Sequence, residues 1–362
     1  MGLGNLTFTP GAEETMAKGS SRVLFLAVGD RASPGTRLRT LAYKPFLEDH
    51  GHQVEVLYPV GVDPNRLRRR RALRPLELVR DLVAASRADV AVVYRKTFPG
   101  MTARLLRRVA SKVVFEYDDA VYLPSPDEPQ SEKAKRRYRR NFEATVAAAD
   151  LIVAGNDHLA EAGPSGRTVV LPTGVDTRIF KPVEGGGPRD RCVLGWIGTE
   201  GNLPQWTHLL PVFRRILAES PAVRLKVVSN GEPPPCDLPI DFERFTIDRE
   251  AACLEDFDIG LMPLEDTPWN RGKCSYKALQ CMAMGLPVVL SPVGMNREVV
   301  EPGVSGEFAS NEDEWFDHLL RLARDPELRS MMGQKARSVV EERYSLDLVG
   351  SKMAEIIDGL LD

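Results

Sequence analysis

The chain has 362 residues, 43% hydrophobic and 27% charged, and its 48 basic and 51 acidic side chains leave a net charge of −3. That length is too great for one compact core and suits two domains of ordinary size in a globular protein. The five cysteines, Cys192, Cys236, Cys253, Cys274 and Cys281, are odd in number and sit at no metal-ligand spacing, which argues against a disulfide framework or zinc site and for a reducing, cytoplasmic setting.

Residues 1–20 lack the charged start and apolar run of an export signal, and this segment is expected to be disordered. No later stretch approaches the ~20 apolar residues of a membrane span. From residue 22 onward, short β-branched apolar runs alternate with helical segments, the rhythm of a parallel sheet with crossover helices. Strands are predicted at 22–28, 53–59, 89–94, 112–117, 150–155 and 167–172, with helices at 36–49, 75–85, 102–110 and 132–148. Pro75 suits the first turn of its helix. The rhythm pauses at 173–190, where glycine, proline and charge replace apolar periodicity as in an interdomain linker. It resumes with strands at 191–198, 224–229, 241–247, 257–263, 287–291 and 306–310, and helices at 204–219, 275–284, 311–324, 326–343 and 347–361. Two Rossmann-like domains facing a cleft are expected, at 21–172 and 191–345, with a last helix within 346–362 placed to pack back on the first. Ligands in such sheets bind beyond the carboxyl ends of the strands.

The charge is unevenly divided. Residues 1–176 carry 27 basic and 21 acidic side chains, whereas 177–362 carry 21 and 30. The basic excess concentrates in two runs, 66–74 and 133–140. The ordinary reading of each is a solvated helix face; the sharper one is a surface for anionic lipid or a phosphorylated acceptor, which would make the protein peripheral on the inner face of a membrane. Nucleic acid is the weakest partner class, because no interleaved aromatic platform accompanies the arginines.

Three loops leave the sheets where chemistry is expected. The loop after 257–263 enters a helix with readable ends: Ser275 is a candidate N-cap, Ala278, Leu279, Met282 and Ala283 form an apolar stripe, and Gly285 and Pro287 stop it. Free backbone N–H groups at Cys274, Ser275 and Tyr276 would point out of the sheet top with the helix dipole behind them, and Arg271 and Lys273 add full charges. A diphosphate could be held there without a metal, although a solvated basic turn reads the same way. In the loop 29–39, Gly35 permits close backbone approach, Thr36 is a candidate cap and Arg37 projects from the first turn. In 113–122, adjacent Asp118 and Asp119 end an apolar strand, where they suit acceptor hydroxyls, a general base, or the capping of a turn.

The segment DIGLMPLEDTPWNRGKCSYKALQCMAMGLPVVLSPVGMNREVVEPGVSGEF, with SPGTRLRTLAYKPFLEDHGHQVEVL, VVFEYDDAVY, LPTGVDTRIF and ERYSLD, resembles glycosyltransferase family 4 in order over nearly the whole chain. The resemblance implies the GT-B fold, two doubly wound parallel-sheet domains of which the first takes the acceptor and the second a nucleotide-diphosphate sugar. It implies a retaining transfer of a hexosyl residue from a UDP or GDP sugar to a hydroxyl of a glycan, glycolipid or small molecule, with no cofactor and no metal. The family's donor loop carries two glutamates, near the transferred sugar and on the ribose; Gly272 and Gln280 stand at those positions here. Gln280 keeps a ribose hydrogen bond within reach; for the lost sugar contact, either Asp266, Asn270, Lys273 or Lys277 replaces it, or the sugar is handled differently, or activity has been lost. After 191–198 the family places an Arg and a Lys for the diphosphate; Gly198 and Thr199 are present but those cations are not, which leaves Arg271, Lys273 and Lys277 as the phosphate cations. Glu298 matches an acid that opens a helix beside the donor pocket, or is only a first-turn acid suited to the dipole. The family's histidine after the third or fourth strand is not evident; Arg95 and Lys96 stand there, and His158 is read as structural. The catalytic candidates are thus Arg271, Lys273, Asp118 and Asp119. The alternatives are a catalytically silent nucleotide-sugar-binding protein and a GT-B enzyme of another reaction type, such as an epimerase.

Overall fold

The computed structural model describes residues 20–60, 67–183 and 190–362. The expectation for 1–20 therefore lies, but for its last residue, outside the described residues, as do the side chains of the basic run 66–74. Strands β1 (Arg22–Leu26), β2 (Gln53–Leu57), β3 (Val90–Tyr94), β4 (Lys112–Tyr117), β5 (Leu151–Ala154) and β6 (Thr168–Val170) form one sheet in the order β2-β1-β3-β4-β5-β6. Strands β7 (Cys192–Gly198), β8 (Val223–Ser229), β9 (Ile240–Arg244), β10 (Ile259–Met262), β11 (Val288–Leu290) and β12 (Glu307–Phe308) form the other, in the order β12-β11-β10-β7-β8-β9. Every pairing is parallel. All five positions of β3 are buried, because helices cover both faces of the sheet and leave no solvated side for an alternating pattern. In each sheet the chain direction of winding reverses beside its first strand, at β1/β3 and at β7/β10, and the loops there open a crevice.

Three predicted helices differ in their bounds, each at a proline. The span 36–49 is not one helix but a turn Pro34–Thr36, a π-helical turn Arg37–Leu41 and a separate helix Lys44–Asp49 with Pro45 in its first turn. The span 204–219 is split into Leu203–Thr207 and Leu210–Glu219, the second opening on Pro211. In both cases the ring lacks the N–H that would carry the ladder across. The helix predicted to open at Pro75 instead runs Leu67–Ala85 with Pro75 inside it, so the proline is tolerated at the loss of one ladder bond.

The two halves are tied together beyond the cleft. Val175 N–H donates to Tyr344 O at 2.8 Å, and Leu346 N–H returns to Val175 O at 2.8 Å, so the two crossing segments pair side by side. Arg337 donates to the carbonyls of Thr177, Phe180 and Ala283. The last helix, Leu346–Leu361, opens on a Ser345 hydroxyl cap and buries Val349, Met353, Ala354 and Ile357 against Val23, Phe25, Val90 and Val92 of the first sheet.

Candidate active site

The crevice between the sheets encloses about 790 Å³, a size suited to a small-molecule ligand. Only two non-glycine residues among those described have positive φ, Arg95 (55°) and Ser275 (51°), and both line this cleft. Left-handed backbone at such residues costs about 1–2 kcal/mol each and persists where the surroundings over-determine it.

On the first domain, β3 and β4 end together and their charges are already paired. Arg95 bonds Asp119 through its Nη2 and sits with Nε 3.6 Å from Asp118, whose Oδ1 also accepts from the Tyr94 hydroxyl at 2.9 Å. From across the cleft Lys273 Nζ reaches Asp119 Oδ1 at 3.0 Å. Burial by itself would raise the Asp119 acid, but Arg95 and Lys273 outweigh it and hold its carboxyl below the usual range. Below this layer the fully buried Arg39 donates to Glu116 at 2.5 Å and to Leu171 O at 2.8 Å. Burial pushes Glu116 up to about 7 while Arg39 opposes it. Asp118 and Asp119 are thus members of an ion-paired network rather than two free carboxylates.

Gly35 lies against the Tyr94 hydroxyl, which approaches within 2.0 Å of where a Cβ would stand. Thr36 does not cap its helix: Ser33 occupies the cap position, and the buried Thr36 hydroxyl donates to Gly29 O at 3.2 Å. Arg37 crosses to the second domain and pairs with Glu250 at 2.8 Å.

On the second domain the helix Tyr276–Ala283 points its start at the cleft. Ser275 holds the N-cap position without capping it. Its hydroxyl donates instead to Asn296 Oδ1 at 2.7 Å, and Asn296 Nδ2 is anchored on Ser291 O at 2.8 Å. The first-turn N–H groups therefore face the cleft with no side-chain acceptor, the condition for an anion site. Lys277 stands in that turn, half-buried, its Nζ 4.9 Å from the centre of the Trp196 ring. Gly198 makes the space: a Cβ there would meet Lys277 Nζ at 2.8 Å. Among the described residues Lys277 has no ion pair or hydrogen bond, and burial, then the Lys273 charge, lowers its ammonium to about 7.

The remaining predicted residues separate into those at the cleft and those away from it. Thr199, Lys273, Cys274, Ser275 and Tyr276 line the cleft with Lys277. Arg271 does not: it is exposed and held by Asp266 at 2.6 and 3.1 Å. Asn270 is buried and fastens the loop through Glu265 O at 2.9 Å. Gly272 is docked on the first domain, where a Cβ would stand 3.1 Å from Ala120 N and 3.0 Å from a Leu159 methyl, so a side chain at this position would be tightly packed and require its neighbours to shift. Next to it, the Cys274 thiol donates to Asp118 O at 3.3 Å and Asn156 Nδ2 to Lys273 O at 3.1 Å. Gln280 is buried and donates to Glu250 at 2.9 Å. Glu298 is exposed and off the cleft; Asn296 is the residue of its helix that reaches the donor loop. His158 lies 3.5 Å from Glu161, outside the cleft. Sequence reasoning missed Tyr94, Arg39, Glu116 and Glu250, and it read the charge of Arg95 as meeting an anionic acceptor or the donor phosphate, whereas Arg95 is paired with Asp118 and Asp119. Glu116 gave a signal, a lone acid inside an apolar strand; the others give none locally.

Residues 191–325 match the family described as glycosyl transferases group 1. The match spans most of the second domain. A D-inositol 3-phosphate glycosyltransferase of Saccharomonospora viridis is 26% identical over 54% of this chain and 52% of its own length. The chain spans about half the length of the curated relatives it matches. Among solved structures, sucrose-phosphate synthase of Thermosynechococcus elongatus superposes with a TM-score of 0.73 at 15% identity, covering 94% of this chain and 99% of that one. Anabaena HepE in complex with UDP-glucose superposes with a TM-score of 0.64 at 17% identity, covering 94% and 100%. The two facing parallel sheets are the GT-B fold. The loop 264–275 and the helix after it, with Thr199, Asn202, Gln205 and Met262, supply the second domain's side of the cleft.

Proposed function

We propose that the chain is a retaining glycosyltransferase that moves a hexosyl residue from a nucleotide-diphosphate sugar to an acceptor hydroxyl without a metal. The observation that carries the reading is the Lys277 ammonium, without an ion pair or hydrogen bond among the described residues, beside the uncapped start of the helix Tyr276–Ala283, inside a cleft one wall of which comes from the domain that matches glycosyl transferases group 1. A diphosphate placed there would meet backbone N–H donors and one desolvated cation whose charge is restored when the anion arrives. Negative charge growing on the departing diphosphate is then met by preorganised donors, the largest single term open to such a site. Lys273 stands between that wall and Asp119, where it links the leaving group to the acceptor side. The likeness in fold to HepE, a protein solved in complex with UDP-glucose, supports a nucleotide sugar as the donor class. Incubation with a panel of UDP and GDP sugars, followed by chromatography for released nucleoside diphosphate and NMR of the product anomer, tests the reading. Release with the donor's anomeric configuration kept is expected; inversion, or no release with any donor in the presence of acceptor extracts, would overturn it.

The acceptor side carries an apolar and basic face that fits a lipid-linked acceptor at an anionic membrane. Met101, Leu105 and Val109 are exposed along the helix Gly100–Val109, and Leu76, Val79 and Val83 along Leu67–Ala85. Arg104, Arg107, Arg108 and most of 133–140 are exposed as well. Among the described residues no helix is long and apolar enough to cross a membrane. Sedimentation with anionic liposomes that is lost as salt is raised would support this surface; equal sedimentation with neutral liposomes would remove the basic residues from it.

A further inference from the structure

We propose that the acceptor is a saccharide of more than one ring, its reacting ring in the cleft and the next ring in a second chamber on the first domain; this rests on the glycosyl-transfer reading above. The chamber spans about 880 Å³, no smaller than the cleft, and lies between the helix Leu67–Ala85, the turn after β3 and the helix Glu132–Ala148. Val28, Arg95, Thr97, Glu128 and Tyr138 line both cavities, so one opens into the other. Each is of a size that suits a whole small-molecule ligand. A nucleotide sugar is already such a ligand. With one in the cleft, only the reacting end of an acceptor has room beside it, and the body of the acceptor is led into the chamber.

The neck between the two cavities carries an acid with one oxygen to spare. Glu128 Oε2 accepts from Ser125 N–H at 3.2 Å, from the Ser125 hydroxyl at 3.4 Å and from the Tyr138 hydroxyl, whereas Oε1 meets no hydrogen-bond donor among the described residues. Glu128 is half-buried and held by neutral groups, so a ligand hydroxyl on Oε1 would make a charge-assisted bond. Beyond the neck, Lys96 Nζ bonds Glu77 Oε1 at 3.1 Å and Asp81 Oδ2 at 2.9 Å, and Arg80 Nη2 bonds Asp81 Oδ1 at 2.6 Å. These two acids and two bases cancel, which leaves that wall no net charge with which to select an ion. It remains rich in fixed donors and acceptors, because an ammonium has three protons to give and a carboxylate about four acceptor positions. Neighbouring donors and acceptors match the adjacent hydroxyls of a sugar, each of which both donates and accepts. Leu78 and Phe98, half-buried in the same lining, offer apolar surface to the C–H face of a ring. An alkyl chain in its place would desolvate the charged groups without bonding them.

The test supplies the full chain with UDP and GDP sugars and with octyl glycosides of glucose, galactose, mannose and N-acetylglucosamine, each as the monosaccharide and as disaccharides ending in it. Extended product is followed by mass spectrometry. The preferred disaccharide is expected to exceed the monosaccharide of its terminal ring by about 10- to 100-fold in kcat/KM. Glu128→Gln, which keeps the shape and removes the charge, should cut that preference by about 3- to 10-fold. Thr102→Trp fills the chamber from the first turn of the helix Gly100–Val109, away from the cleft lining, and should bring the preference to within about twofold of none. A variant that is merely less well folded loses both rates together and keeps the ratio. Equal use of mono- and disaccharides by the wild-type chain overturns the inference, as does an undiminished preference in either variant. So does release of nucleoside diphosphate with no glycoside extended. No release from any donor would instead bring down the glycosyl-transfer reading itself.

Discussion

The two walls of the cleft handle charge in opposite ways. On the first domain, Arg95, Asp118, Asp119, Arg39 and Glu116 are ion-paired in two stacked layers, with only Arg39 Nη2 and Glu116 Oε2 of the lower pair left without a hydrogen-bond partner among the described residues. On the second, Lys277 meets the Trp196 ring but no ion pair or hydrogen bond among the described residues, and the first-turn N–H groups beside it have no side-chain cap. A paired network is costly to open but rigid, and it suits positioning; an unpaired cation is destabilising in the free chain, and it suits binding an anion. The difference favours the second wall as the seat of the donor diphosphate on physical grounds independent of sequence pattern.

Disrupting the paired wall should have the largest effect. Arg39→Met leaves Glu116 buried without its cation, and a loss of about 3–5 kcal/mol in unfolding free energy is expected from denaturant titration; a loss under about 1 kcal/mol would mean the network contributes little. Lys277→Met should act in the reverse sense. It removes a desolvated charge, so Tm at pH 6 should rise, while turnover falls by about 10²–10³-fold. A variant both less stable and fully active would make Lys277 a packing residue. The bridge between the walls comes next: a double-mutant cycle of Lys273→Ala and Asp119→Asn should show a coupling of about 1–3 kcal/mol in kcat, larger than in KM, whereas additivity would dissociate the two walls.

The fold class was legible from the alternation of apolar runs and helices, since all twelve strands lie in or overlap spans chosen on that rhythm alone. The helix bounds near Pro45, Pro75 and Pro211 were not, because a proline's fate depends on what packs around the broken turn. At the site, the helix start at 274–277 was legible because Lys273, Lys277 and the stop at Gly285 are local, although Ser275, read as its cap, bonds Asn296 instead. What escaped was made by long-range contacts: Arg39 and Glu116 are 77 residues apart, and Lys273 and Asp119 are 154 apart. Arg271 illustrates the opposite error. Its charge looked available from the RGK text, yet Asp266, five residues earlier, holds it at the surface. Gly272 likewise looked like a missing acid, whereas its backbone is docked closely against Ala120, so that a side chain there would have to displace its neighbours.

Lys277 also sets the most direct measurement. Its ammonium is lowered from 10.5 to about 7 in the free chain, so between these values the unfolded chain holds a proton that the folded chain has released, and stability rises with pH across that window. A bound diphosphate restores the charge. The diphosphate diester of UDP-glucose has no group titrating near pH 7–8, so the affinity should fall roughly tenfold per unit from just above pH 7 up to the onset of uracil N3–H ionisation. Titration of UDP-glucose at pH 8, in buffers of different ionisation enthalpy, should show uptake of about one proton per chain, absent in Lys277→Met. Tight binding without proton uptake, or uptake unchanged in the variant, would contradict the placement of the diphosphate on this lysine.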